Sequence, residues 1–268
     1  MKTYTTVSSW RSYIAASAAV LLPLAGCYAQ NLDLSNTSIN SGVINGAIYS
    51  VDTTHPSGTG IFGRDSGGVF LTIQGKDVQQ GYNTSAKDVM DTKRVPQWNH
   101  ELQVSDLNTV NIGGDSYVPF LLDINEPANK SNLLSLDDVR IFISPNAGIS
   151  HQSLEDMLSD PNMTLIYSLD TTLGDPNSWV MLDYNRSGSG SGSADMGLFV
   201  PTDLFAGASA SDYVYLYSKF GGDGATAEGG FEEWTQGAGT GKLTQVPEPS
   251  GASLALAAGL ILFLRRKR

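Results

Sequence analysis

Apolar and polar positions alternate in short runs through the middle of the chain, between residues 43 and 235. Val69-Phe70-Leu71-Thr72-Ile73 is apolar and rich in β-branched side chains, which suits a strand buried on both faces. Tyr117 to Ile124 reads the same way, with Pro119 marking an edge or a bulge because proline cannot donate to a ladder. Val139, Ile141 and Ile143 share one parity, as the inward face of a half-buried strand does. Thr164 to Leu169 and Trp179 to Tyr184 follow, separated by turn-forming residues at 174–177. Tyr213-Val214-Tyr215-Leu216-Tyr217 puts three tyrosines on one face and two aliphatics on the other. The helical period surfaces once, over Ser153 to Leu158, with Ser150 or Ser153 as the N-cap. Strands and helices do not alternate regularly, and no repeat of fixed period is present. The pattern predicts a mainly β chain: one antiparallel β-sandwich or jelly-roll-like domain over residues 31–236 with one short helix. The run Ser187 to Ser193 is expected to be a long hairpin tip, and 237–245 a linker.

Two longer apolar runs lie at the ends. Ile14 to Ala25 follows Lys2 and Arg11, the order of a secretory signal peptide over residues 1–29. Ala252 to Leu264 precedes Arg265-Arg266-Lys267-Arg268. As a helix the 15 residues from Ser250 to Leu264 would reach about 22 Å, somewhat short of a hydrocarbon core of about 30 Å. Snorkelling basic ends and local thinning close such a gap. Four cations after the run would hold it with that end cytoplasmic and the preceding domain outside.

These ends carry two resemblances. Leu24-Ala25-Gly26-Cys27 resembles the lipobox of bacterial lipoproteins, which implies acylation of Cys27 and a signal of residues 1–26. Ordinary cleavage after Ala29 fits equally well, and both readings stand. Val246-Pro247-Glu248-Pro249, the apolar run and the basic end resemble the PEP-CTERM sorting signal over residues 246–268, with Pro247, Glu248 and Pro249 as the motif. That resemblance implies an exosortase-type transpeptidase as partner, a membrane-held form before processing, and delivery to the surface or matrix of a bacterium that makes extracellular polysaccharide. Tyr213 to Trp234 also resembles stretches that precede the tail in that family, without implying an activity.

Charge sharpens the picture. Six of the 16 basic residues are the terminal flanks Lys2, Arg11, Arg265, Arg266, Lys267 and Arg268, whereas all 27 acidic residues lie between Asp33 and Glu248. The exported body is therefore more acidic than the −11 of the whole chain, which disfavours nucleic acid and anionic lipid as partners. With Cys27 alone, no disulfide can form within the chain, and a domain of about 200 residues does not need one.

Catalytic signatures are weak. The Gly/Ser run at 187–193 puts glycine where a G-x-S-x-G nucleophile would stand. His55, His100 and His151 are isolated from one another. Gly237 to Lys242 lacks the first glycine and the final Ser/Thr of a phosphate loop, and Gly222-Asp223-Gly224 has no βαβ unit around it. Glu232 and Glu233 beside Trp234 suggest a glycosidase, but neighbours on a strand point to opposite faces and cannot flank one bond. Two binding expectations remain. Asp183, Asn185 and Ser187, followed by Gly188, begin like an oxygen-rich calcium loop with Asp195 as a further ligand; Arg186 and the lack of a glutamate at its twelfth position oppose that reading. Tyr213, Tyr215, Tyr217 and Trp234 could form an aromatic face for sugar rings. The sequence thus predicts an exported, non-enzymatic surface or matrix protein with a structural, adhesive or glycan-binding role. The alternative is an extracellular carbohydrate-active enzyme.

Overall fold

The computed structural model describes residues 29–53, 68–93, 96–126, 132–170, 178–186, 194–228, 230–239 and 241–243. Among these the chain is mainly β, in two sheets. The strands are β1 (Asn31–Asp33), β2 (Ser41–Ile44), β3 (Ala47–Ser50), β4 (Val69–Ile73), β5 (Gln79–Tyr82), β6 (Leu102–Gln103), β7 (Asn108–Ile112) and β8 (Asp115–Asp123). They continue as β9 (Leu133–Ser144), β10 (Thr164–Ser168), β11 (Trp179–Asp183), β12 (Met196–Pro201), β13 (Tyr213–Phe220), β14 (Glu232–Gln236) and β15 (Gly241–Lys242). One α-helix, α1 (Leu154–Ser159), lies between β9 and β10. No helix among the described residues is long and apolar enough to cross a membrane.

The first sheet runs β1-β11-β9-β13-β5, with β10 on β9 and β6 on β13. β9 organises it, pairing with β13 along one edge and with β11 and then β10 along the other. The second sheet runs β15-β7-β8-β12-β3-β2, with β14 bridging β8 and β4. Every pairing is antiparallel except that of β1 with β11, which is parallel and departs from the all-antiparallel expectation. Leu136, Val139, Ile141, Val214 and Leu216 of the first sheet share one hydrophobic core with Tyr49, Phe70, Phe120, Leu198 and Trp234 of the second. Full burial of each such side chain contributes roughly 1.5–3 kcal/mol, so this shared interior dominates the stability.

Irregularities have local causes. In β9 the inward residues are Leu134 and Leu136, then Val139, Ile141 and Ile143, a change of parity. Lys219 pairs with Asp138 but Phe220 with Leu136, so Asp137 is the extra residue of a β-bulge that resets the alternation. Pro119 sits inside the second sheet, not at its rim. β8 changes partner there, from β7 up to Tyr117 to β14 from Phe120, and the missing N–H falls at the seam. Asn45 and Gly46 turn the β2–β3 hairpin at φ of 49° and 85°, the left-handed pair of a type I′ turn.

Two boundary expectations need correction. The strands on either side of residues 187–193 belong to different sheets, β11 to the first and β12 to the second, so they are not the paired arms of the expected hairpin; residues 187–193 themselves lie outside the described residues. Part of the expected linker is docked on the domain. Gly237 N donates to Pro119 O at 2.9 Å, β15 pairs with β7, and Leu243 N donates to Leu107 O at 2.9 Å.

Candidate functional site

The tyrosines of β13 share one face, but that face is covered. Helix α1, capped by Ser153 whose Oγ accepts from Asp156 N at 3.1 Å, lays Met157 onto it. Met157, Met163, Val89, Tyr82, Phe142, Tyr215 and Tyr217 form a second, smaller core on the outer side of the first sheet. Tyr82 and Tyr215 meet edge to face with centroids 6.0 Å apart. Their hydroxyls reach rim acceptors: Tyr215 donates to Asn146 O at 2.8 Å and Tyr82 to Ile149 O at 3.1 Å. Tyr217 donates to Gln80 Oε1 at 2.6 Å. Burial pushes all three phenols well above their ordinary range. Trp234 belongs to the other sheet, faces the main core at 0% exposure, and donates from Nε1 to Ser218 Oγ at 3.1 Å. The expectation of an aromatic platform from Tyr213, Tyr215, Tyr217 and Trp234 is corrected accordingly. Their hydrophobicity is used inside, in two separate cores, and only Tyr213 stays half-buried.

The calcium expectation is also dispersed. Asp183 closes the first sheet, where its Oδ1 accepts from Asn185 N at 2.9 Å and from Asn132 Nδ2 at 2.5 Å. Asp195 precedes β12 in the second sheet and is buried, with Oδ2 accepting from Ile124 N at 2.8 Å. Ser187 lies outside the described residues, as do Cys27, Pro247, Glu248, Pro249, Arg265, Arg266, Lys267 and Arg268. Arg186 points away from any cation site. Its guanidinium donates to Leu34 O, to Asn36 O at 2.8 Å and to Asn40 Oδ1 at 2.8 Å, clamping the segment between β1 and β2. Among the described residues no group of three acidic, histidine or cysteine side chains is arranged to hold a metal ion. His151 Nε2 meets Asp160 Oδ2 at 2.9 Å beside α1, and His100 meets Pro96 O at 3.1 Å; the two serve their own loops.

The chemically distinctive group is Glu232, which the sequence offered only as half of a disfavoured glycosidase pair and not as a buried tie between sheets. β14 begins with Glu232 on the same side of the strand as Trp234, so its carboxyl enters the space between the sheets at 0% exposure. Gln79 Nε2, from β5 of the opposite sheet, donates to Glu232 Oε1. Gln79 is itself held by Gly75 N, which donates to its Oε1 at 2.5 Å. The second carboxyl oxygen, Oε2, has no hydrogen-bond partner among the described residues. Desolvation and the nearby Glu126 and Asp123 carboxylates push Glu232 up to about 8. Glu126 follows the end of β8, accepts from Glu228 N at 3.0 Å, and is raised to about 6 by burial. Glu233 points the other way, where Thr72 Oγ1 donates to it at 3.4 Å, so the two adjacent glutamates indeed occupy opposite faces. The signal that finds Glu232 in the sequence is its i, i+2 relation to a tryptophan.

A second acidic group gathers at the β9 bulge and is organised differently. Asp137 accepts from Gly222 N at 2.5 Å and from Asp223 N at 3.1 Å, fixing the turn after β13. Asp138 Oδ2 takes Arg140 Nε at 2.8 Å. Burial still raises Asp138 to about 6, with the Arg140 guanidinium opposing the shift.

No family model, curated protein or solved structure matches this chain.

Proposed function

We propose that the protein is exported and sorted to the cell surface or extracellular matrix by its C-terminal tail, where an acidic, mostly antiparallel β-sandwich of jelly-roll-like form serves a structural or adhesive role. The observation that carries this reading is the order of three parts: Pro247-Glu248-Pro249, then an apolar run, then Arg265-Arg266-Lys267-Arg268. The resemblance of that tail to the PEP-CTERM signal supports an exosortase-type partner, a membrane-held precursor and a setting rich in polysaccharide. The burial of Tyr215, Tyr217 and Trp234 favours a structural role over sugar stacking on those side chains. A glycosidase reading is disfavoured because Glu232, Glu126 and Asp138, described carboxyls raised toward the range of a general acid, are all buried, with Glu232 exposing no surface through which to meet a glycosidic bond.

Removing residues 246–268 tests the sorting claim. The truncated protein is expected to be released into the medium or misrouted when cells are fractionated. A distribution identical to that of the full chain refutes it. In the same cells, metabolic lipid labelling that Cys27→Ser abolishes identifies the lipobox, whereas an unlabelled parent chain identifies ordinary cleavage.

A further inference from the structure

We propose that Glu232 is a proton-operated latch between the two sheets, closed while its carboxyl is neutral and opened at the β5–β14 end of the core when it ionises. The geometry is that of a neutral acid. Oε1 behaves as the carbonyl oxygen, taking the Gln79 Nε2 donor from across the interior. Oε2, which receives no donor, suits the hydroxyl of a protonated carboxyl and not half of a buried anion. The charges that bear most on it are of its own sign: Glu126 and Asp123 from the end of β8, with Glu228 beside Glu126. On the β4 side its strand partner is Ile73, which is apolar. On the β5 side Gln79 is uncharged, and Lys76 and Asp77 precede it in the chain, Asp77 joining Ala227 through two backbone bonds of 2.9 Å. Ionising Glu232 would place a second negative charge beside Glu126 in the buried space between the sheets. The way to relieve it is to withdraw β14 and the 221–228 segment, held to Asp77 through Ala227, from β5.

The sign of the pH effect follows from the position. The folded protein binds this proton up to about pH 8, whereas an unfolded chain releases it near the ordinary glutamate value of about 4.3. Between those values the folded state holds the extra proton, so stability is highest on the acid side and falls as pH rises. Glu126 and Asp138 act in the same direction up to about pH 6, whereas Glu232 acts up to about pH 8, and Glu232→Gln isolates its share of the window from 6 to 8.

The test is urea denaturation of the full chain between pH 6 and pH 8, as wild type, Glu232→Gln and Glu126→Gln. In the wild type the folding equilibrium constant is expected to drop about tenfold per pH unit across the window, the effect of one proton. Glu232→Gln keeps an oxygen for Gln79 and cannot ionise, so its profile should be flat there; a slope equal to wild type overturns the proposal. Glu126→Gln removes a repelling charge, lowers the folded value of Glu232 and should make the fall level off at a lower pH than in wild type; an unmoved upper end also overturns it. Amide hydrogen exchange, corrected for intrinsic rates, locates the opening. At pH 8 relative to pH 6, residues 75–82 and 232–236 should lose protection ahead of β3 and β10, and a uniform loss over both sheets rejects a local latch.

Discussion

The two buried phenols that join the sheets at their other end should respond unequally to the same chemical change. Tyr49 on β3 and Tyr167 on β10 face each other in the main core with their hydroxyl oxygens 2.7 Å apart. Tyr167 also donates to Ile44 O at 3.1 Å. A hydroxyl has one proton and two acceptor sites, so Tyr167, its proton committed to Ile44, must be the acceptor and Tyr49 the donor. Tyr49→Phe then removes a donor whose acceptor keeps its own bond, a loss of about 0.5–1 kcal/mol. Tyr167→Phe strands the Tyr49 hydroxyl in a site with 0% exposure and also removes the Ile44 bond, which together cost about 2–3 kcal/mol. The double variant no longer has a stranded hydroxyl and should be less destabilised than the two single losses added together. Urea denaturation of the three variants with a common m-value measures all of this. If Tyr49→Phe costs as much as Tyr167→Phe, the assigned direction of the hydrogen bond is wrong.

Backbone geometry and the Arg186 clamp give two further expectations. Gly221 has φ +87° and a Cβ there would fall 1.9 Å from Asp77 O, so Gly221→Ala should cost more than about 3 kcal/mol or prevent folding. Gly113, at φ +65° with nothing near, should lose only about 1 kcal/mol as alanine, and equal melting temperatures for the two variants would contradict the packing argument. Arg186→Ala frees the carbonyls of Leu34 and Asn36, and hydrogen exchange or limited proteolysis should show residues 34–40 opening while β9 and β13 stay protected; unchanged protection of 34–40 would mean the clamp is idle.

What was legible in the sequence is what local pattern controls. Val69–Ile73 coincides with β4, Thr164 to Leu169 and Trp179 to Tyr184 each overrun β10 and β11 by one residue, and α1 starts one residue after its Ser153 cap. Alternation also placed the tyrosines of β13 on a common face. It could not say that α1 and the 83–92 segment would land there, because a covered face and a free one share the same period. Strands β2, β3 and β7 escaped the strand expectations although Asn45-Gly46 and Gly113-Gly114 carry the positive-φ turn residues that announce the β2–β3 and β7–β8 hairpins; these three strands are too short or too polar for hydropathy alone. The Asp137 bulge hid the first half of β9 in the same way, by shifting Leu134 and Leu136 out of phase with Val139.

The polar contacts between the sheets explain why an otherwise apolar interior retains them. Burial of leucines and phenylalanines rewards many relative placements of two sheets almost equally, since the hydrophobic effect has no direction. Tyr49 with Tyr167, Trp234 with Ser218, and Gln79 with Glu232 each tie one residue of the first sheet to one of the second. A displaced register would leave every one of these groups buried without a partner, at about 1–3 kcal/mol each. Two of the ties are insensitive to ordinary pH, because burial holds both phenols above their usual range and the indole does not titrate. Only the carboxyl tie can be switched, and it sits at the β5–β14 end. Alkaline loss of stability should therefore begin there, while the Tyr49–Tyr167 end keeps its alignment.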